Sequence, residues 1–419
     1  MHSVSSAEST ILNLIQPFDA ETNREQIELI QALGRILAED IKSELDFPHW
    51  DNSAMDGYAF RHTDLEEVGK LAIASQDIPA GATIAQPLAK GECIRIFTGG
   101  MLPEGADTVV MQEDVEVIGE YLQLKAPIAK GEYVRHQGEF YRSGATLLTK
   151  GTKLTATDIG ALAAARCQTV SVYRLPKVAI FSTGNELVSL ASREPLKLGE
   201  IVDSNQYALA ALVTQSGGIP LLMGAVPDRQ ESLRSAIETA IASADLIISS
   251  GGVSVGDYDY IERILAEMEA EIHVQSVGIK PGKPLTVATF SSCLDSSLTA
   301  SDTKHPQLYF GVPGNPVSAM VSFWRFIRGA IAKLGGSDAS SWYPQFILAQ
   351  TTKDLHAQGR RETYLWGHLT QDAGRAIFQP VENYSSGNLI SVTGTNALAV
   401  LKVNQTYVPE GEVVLVMLV

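Results

Sequence analysis

The spacing of apolar positions changes along the chain, and the changes divide it into segments. Within residues 5–40 apolar side chains return at helical spacing, most clearly Ile27, Ile30, Leu33 and Leu37 after Asn23. Ser5 with Glu8 and Asn23 with Gln26 have capping-box spacing, so two helices are expected here. Residues 41–150 lose that period. Short runs such as 93–97, Thr108–Met111 and Tyr121–Leu124 lie between Gly and Pro punctuation and read as strands of a β-rich module. An Ala-rich helix is expected from about 155 to 166, opened by Thr155 and Asp158.

From Lys177 strand-like and helix-like runs alternate. A β-branched and aromatic run at 178–182 is followed by a helix, Asn205–Gln215, closed by Gly217 and Gly218. A strand at 220–226 leads to a helix that Asp228 opens, with Glu231 in capping-box position and Leu233, Ile237 and Ile241 on its apolar face. A buried strand at 246–249, a helix at 259–270, strands near 272–277, 285–290 and 308–312, and a helix at 316–333 complete the pattern. Such alternation predicts a doubly wound α/β domain. Residues 291–304, rich in Ser, Thr and Asp, read as a polar loop, 335–341 as a linker, and 342–419 as a small β domain.

Length and charge narrow the classes. A chain of 419 residues suggests about three domains at roughly 150 residues each. Its 32 basic and 48 acidic residues leave a formal charge of −16. That balance argues against a nucleic-acid binder and against a polybasic membrane anchor. Anionic substrates would have to be met locally, by a few cations, helix N-termini or a metal. Cys93, Cys167 and Cys293 are too far apart for a disulfide framework or a cysteine zinc site, which suits a reducing cytoplasm. No signal-peptide pattern and no apolar run of spanning length is present, so a cytoplasmic protein off the membrane is expected.

Candidate chemistry collects in the α/β segment. Ligands of open α/β sheets sit beyond the carboxyl ends of the strands. Three glycine-bearing turns fall there: Ser182-Thr183-Gly184-Asn185-Glu186, the run 249–256, and the run 311–318. Glycines let backbone N–H groups approach a ligand closely. In the last turn Asn315 is placed as N-cap and Pro316 as the first helical residue, a helix start that favours phosphate. None matches a P-loop or a dinucleotide fingerprint. The proline-stiffened turn 278–284 presents Lys280 and Lys283. Glu186, Asp228, Asp257 and Asp259 flank the turns; beside a phosphate they call for Mg²⁺ between, although Asp228 is equally explained as a helix cap. In the β-rich module, Asp51 and Asp56 lie on one polar loop, and Arg95–Gly100 forms another turn.

Together, DNSAMDGYA at 51–59, RIFTGG at 95–100, STGNEL at 182–187, SSGGVSVGDYDY at 249–260, GIKPGKPL at 278–285 and GVPGNPVSAM at 311–320 resemble the molybdopterin molybdenumtransferase family, MoeA in bacteria and the E domain of gephyrin in animals. The resemblance implies the last step of molybdenum cofactor assembly: molybdate is inserted into adenylylated molybdopterin, with Mg²⁺ participating and AMP released. It implies a linking domain over 1–45 and 140–172, a β-rich domain over 46–139, an α/β molybdopterin-binding domain over 173–334, and a C-terminal β barrel over 335–419. It also implies a homodimer whose active site is shared, with Asp56 and Thr98 reaching the partner's α/β domain. The adenylyltransferase of the preceding step becomes a candidate partner.

By motif position, Asp56, Thr98, Glu186, Asp228 and Asp259 resemble the family's functional polar residues, Asp228 and Asp259 as Mg²⁺ ligands. Gly252, Ser254, Gly256, Pro313, Asn315, Pro316 and Ser318 resemble its phosphate cradle, and Lys280 and Lys283 its cationic element. Molybdate is expected near Lys283 and Ser318, with Arg360 and Ser386 contributed by the last domain. Two departures stand out: Phe140 follows Glu139 where the family commonly has Asp, and Asn185 precedes Glu186 where relatives often have Asp. Two other functions compete: an adenylyltransferase-like enzyme, which would lack the β modules, and a gephyrin-like binding scaffold, which would not need the acidic and lysine motifs.

Overall fold

Successive residues of β1 (Lys177–Thr183) face opposite ways, and that alternation builds the central sheet. Val178 and Ile180 pack with Leu209 and Val213 of α1 (Asn205–Gln215). Ala179 and Phe181 pack with Leu233 and Ile237 of α2 (Gln230–Ser243). A strand buried on both faces must be apolar throughout, which is why 178–181 shows no alternation. The computed structural model describes residues 1–82, 86–252, 260–290 and 307–419, Tyr260 by its backbone alone.

The remaining strands of this sheet are β2 (Ile219–Val226), β3 (Leu246–Ser250), β4 (Glu271–Ser276), β5 (Pro284–Phe290) and β6 (Gln307–Val312). Their spatial order is β2-β1-β3-β6-β5-β4. The first four run parallel, while β5 is antiparallel to both its neighbours. From β1 the chain goes first to one side and then to the other, so the strand order reverses between β1 and β3. Helix α3 (Tyr260–Glu267) lies on the α2 face; α4 (Pro316–Ser322) and α5 (Arg328–Leu334) lie on the α1 face, joined by a π-helical stretch at Phe323–Ile327. The expected helix over 316–333 is therefore one rod with a wider turn inside it.

Five strands close the C-terminal barrel: β7 (Phe346–Thr351), β8 (Glu362–Asp372), β9 (Arg375–Pro380), β10 (Ala397–Leu401) and β11 (Val413–Leu418). The ladder runs β8-β9-β7-β11-β10 and returns from β10 to β8, leaving no open edge in the ring. Sheet, helices and barrel belong to one compact unit of residues 1–39, 151–159 and 169–419. The second unit, 40–150 and 160–168, is built on a six-stranded sheet in the order Thr108–Met111, Gly57–Phe60, Glu92–Ile96, Leu71–Ile78, Tyr121–Leu124, Val115–Ile118.

The N-terminal segment departs from expectation. Its helix is Val4–Leu14, capped by Ser3, whose side chain accepts from Ser6 N, and not by Ser5. In place of the α-helix expected after Asn23 the segment holds a strand and a single 3₁₀ turn, Leu29–Gln31. Arg24–Glu28 is a strand paired antiparallel with Thr169–Tyr173. Ile30 and Leu33 are 84% and 63% exposed, and Gly34 takes φ +77, outside helical backbone. Pairing with a segment far away in sequence overrides the local helical spacing. Likewise Asp228 does not cap α2; that position is Arg229, without a side-chain cap. The capping box at Thr155 and Asp158 is present, Asp158 Oδ2 accepting from Thr155 N at 2.8 Å.

Candidate functional site

The carboxyl ends of β1, β3 and β6 open into a crevice of about 1000 Å³, at the point where the strand order reverses. Open α/β sheets bind ligands at that point. Each wall follows from a local feature of the chain. The turn after β3 lies against the end of β1, and the turn after β6 against the turn after β3, backbone to backbone. Gly251 has φ +95, and a Cβ there would come 2.6 Å from Thr183 O. Only glycine fits so close an approach. Asn205, first residue of α1, ties two turns together: its Nδ2 donates to Ser250 Oγ and to Gly314 O, both at 2.7 Å. Below them Asp203 is 3% exposed, accepting from Ser182 Oγ at 2.8 Å and from Gln206 Nε2 at 2.9 Å.

Acidic groups stand on one side. Glu186 and Asp228 both line the crevice. Burial, then the neighbouring Glu186, raises the Asp228 pKa above its ordinary 3.8. Thr183, whose buried hydroxyl has no hydrogen-bonded partner among the described residues, lies close enough to Asp228 to offset part of that rise. Two carboxylates crowded without a cation are what a divalent ion relieves. Among the described residues no three or more His, Cys, Asp or Glu are grouped closely enough to hold a metal between them.

Cations stand on another side. Ile279–Lys280 adds to the barrel as a short strand parallel to β8, Lys280 opposite Thr363. Arg361 Nη1 donates to Ile279 O at 3.1 Å, and Val317 N donates to Ser386 O at 3.1 Å, so barrel and sheet are stitched where they border the crevice. The Lys280–Pro281 peptide is cis. Lys280, Lys283, Pro313, Asn315, Pro316, Ser318, Gly252 and Ser386 all line the crevice. Asn315 is the N-cap of α4 and Pro316 its first residue, although the Asn315 side chain makes no cap bond.

Arg360 is exposed and does not line the crevice; Arg361 does. Ser254, Gly256, Asp257 and Asp259 lie outside the described residues, as does Cys293. Asp56 and Thr98 belong to the second unit. There Asp56 Oδ1 accepts from Thr98 N and Thr98 Oγ1, both at 2.7 Å, which lowers its pKa. Phe140 is 65% exposed.

Sequence reasoning missed the barrel wall. Arg361, Thr363, Tyr364, Trp366 and Tyr384 border the crevice. Tyr384 stands edge-on to Trp366 at 4.9 Å, its hydroxyl buried without a partner among the described residues and its pKa raised by burial. Strand alternation marks these residues as inward or outward but carries no sign of which barrel face meets the sheet. Asn205 and Asp203 were findable in principle, as polar residues opening a helix beside a strand end.

Comparison with known proteins gives a consistent picture. The MoeA N-terminal region (domain I and II) matches residues 2–165, a probable molybdopterin binding domain matches 179–333, and the MoeA C-terminal region (domain IV) matches 349–419. A molybdopterin molybdenumtransferase of Nostoc is 47% identical over 100% of this chain and 94% of its own. That of Haemophilus influenzae is 33% identical, covering 95% and 94%. Gephyrin of Dictyostelium discoideum is 31% identical over 94% of this chain and 59% of its own. A crystal structure of the molybdopterin biosynthesis MoeA protein from Pyrococcus horikoshii superposes with a TM-score of 0.82 at 28% identity, covering both chains completely.

Proposed function

The chain belongs to the MoeA family of molybdopterin molybdenumtransferases and is an enzyme of molybdenum cofactor biosynthesis that inserts molybdenum; from that premise we propose that its crevice takes adenylylated molybdopterin and molybdate together, with Mg²⁺, and releases AMP. The observation that carries this is charge placement. In a chain of net charge −16, Lys280, Lys283 and Arg361 converge on one crevice with the glycine turns of three strand ends.

The two substrates are both anionic, and their repulsion grows as water is excluded. Lys280, Lys283 and Arg361 offset it by direct attraction. The turns at 251–252 and 313–316 present backbone to the phosphates. The crowded pair Glu186 and Asp228 fits a divalent cation, with Asp259 assigned beside them by its motif position. Mg²⁺ bound there would neutralise charge on the phosphate bridge whose cleavage accompanies metal transfer. Glu186 orients water at that bridge. Ser318 and Ser386, with Lys283, hold molybdate against the barrel wall.

Homodimerisation, with Asp56 and Thr98 supplied by the partner, belongs to the same proposal, as do the four-domain division at 45, 139, 172 and 334, and an encounter with the preceding adenylyltransferase. Cytoplasmic location is supported by the free thiols Cys93 and Cys167. Among the described residues no helix is long and apolar enough to cross a membrane. Full-length relatives named molybdopterin molybdenumtransferase favour this function over an adenylyltransferase-like one. Reconstitution with adenylylated molybdopterin, molybdate and Mg²⁺ tests it, scoring AMP and active cofactor together. Asp228→Asn is expected to lose AMP release while keeping its fold; release at the wild-type rate would remove Asp228 from the reaction.

A further inference from the structure

A second cavity, of about 580 Å³, shares no lining residue with the crevice. Three cations, Lys153, Arg174 and Arg328, reach its wall, and no Asp or Glu does. Arg174 is neutralised by Asp245, which leaves Lys153 and Arg328 at the wall without a carboxylate side chain among the described residues.

Arg328 is the group that needs explaining. Three other arginines of the same unit that are buried or partly buried meet carboxylates. Arg174 is held bidentately by Asp245, both contacts at 2.7 Å; Arg325 pairs with Glu8, and Arg35 with Glu25. Among the described residues Arg328 has one weak contact, Nη1 to Leu418 O at 3.5 Å. Burial lowers its pKa and no charged neighbour offsets the shift. A partly buried guanidinium without an anion costs stability, so its retention asks for a ligand that supplies one. Arg361, in the crevice proposed for anionic substrates, shows the same habit: among the described residues its guanidinium donates to a backbone carbonyl and meets no carboxylate.

The rest of the cavity adds shape. Tyr343 is exposed at the wall, and Tyr173 and Trp324 show narrow aromatic edges there with Phe323 buried behind them. Phe323 and Trp324 lie in the π-helical stretch that precedes Arg328, and such wide turns are frequent at functional sites. The wall thus combines a fork suited to phosphate or carboxylate with flat apolar surface.

We propose that this cavity is a second anion-binding site that takes a small organic anion with an aromatic body, its phosphate or carboxylate seated on the Arg328 guanidinium. The proposal goes beyond the molybdenum-inserting crevice and does not depend on it.

Calorimetric titration of the full chain with phenyl phosphate, benzoate and inorganic phosphate tests it. The wild type should bind phenyl phosphate at two sites. Arg328→Gln should weaken one of them at least tenfold and leave AMP binding unchanged; Lys280→Ala should weaken only the other. Arg328→Lys, which keeps the charge but loses the fork, should fall between wild type and Arg328→Gln and guards against a folding defect. Benzoate binding that follows the Arg328 series would identify carboxylates as ligands, and phenyl phosphate binding alone would identify phosphates. Equal phenyl phosphate binding by wild type and Arg328→Gln, or one wild-type site that Lys280→Ala abolishes, would overturn it.

Discussion

Two carboxylates in this protein are perturbed in opposite directions, and each direction makes a distinct prediction. Asp228 has a raised pKa, so the folded state holds its proton more firmly than the unfolded chain does. It therefore favours folding below the ordinary value of 3.8, and that advantage is lost as pH rises through the raised value. At neutral pH ionised Asp228 is a local liability. Asp228→Asn should be at least as stable as wild type at pH 7, with the gap closing toward acid. Mg²⁺ should raise the wild-type melting temperature more than the variant's. Thermal scans across pH, with and without MgCl₂, decide it: equal Mg²⁺ shifts would leave Asp228 with no part in metal binding. Asp56 is the converse. Its pKa is lowered by two hydrogen bonds from Thr98, so its stabilising contribution is present above the ordinary value and lost as pH falls through the lowered one. Thr98→Ala removes the hydroxyl but keeps the backbone donor. The Asp56 pKa, followed by carboxyl-carbon NMR, should rise part of the way back; an unmoved value would show that the hydroxyl contributes nothing.

At the scale of elements, the legible parts of the sequence were those whose signals are local. Asn205–Gln215 ends at two glycines and has the bounds its pattern gives. The Thr155 and Asp158 box is realised in its own hydrogen bonds. The β-branched and aromatic run 178–182 announced a strand, and the strand Lys177–Thr183 contains it. What stayed hidden depends on partners distant in sequence. Arg24–Glu28 is a strand because Thr169–Tyr173 lies beside it. Arg361 and not Arg360 faces the crevice because β8 starts in register with Ile279–Lys280, a pairing no local pattern records. The glycine turns, by contrast, were readable from composition alone, since close backbone approach demands glycine wherever the partner comes from. The ion pair between Glu8 and Arg325 is another such distant link, joining the N-terminal helix to the π-helical stretch, with Arg325 also donating to Tyr364 at 3.0 Å. Arg325 is only 7% exposed, so removing its partner leaves a buried charge. Glu8→Gln should cost about 3–5 kcal/mol, measured by denaturant unfolding; a loss below about 1 kcal/mol would mean that water reaches the guanidinium freely.

At the scale of the whole molecule, the proposed function asks Asp56 and Thr98, in one unit, to serve a crevice lined wholly by residues of the other. The proposed homodimer answers it by having each protomer complete its partner's site, and that arrangement has an arithmetic consequence. Asp56→Asn and Asp228→Asn chains should each be inactive alone. Mixed in equal amounts and allowed to exchange, about half of the dimers become mixed. In a mixed dimer one site carries both substitutions and the other carries neither. About one quarter of all sites are then intact, so AMP release should recover to about a quarter of the wild-type value. If Asp56 instead served the crevice of its own chain, every site in the mixture would carry one substitution and activity would stay at the level of the parents. The same mixture made with Lys283→Ala in place of Asp228→Asn should recover equally, because Lys283 lines the same crevice as Asp228. Pairing Lys283→Ala with Asp228→Asn should recover nothing, since both lesions then fall on the α/β side and no exchange of partners separates them from the sites they spoil.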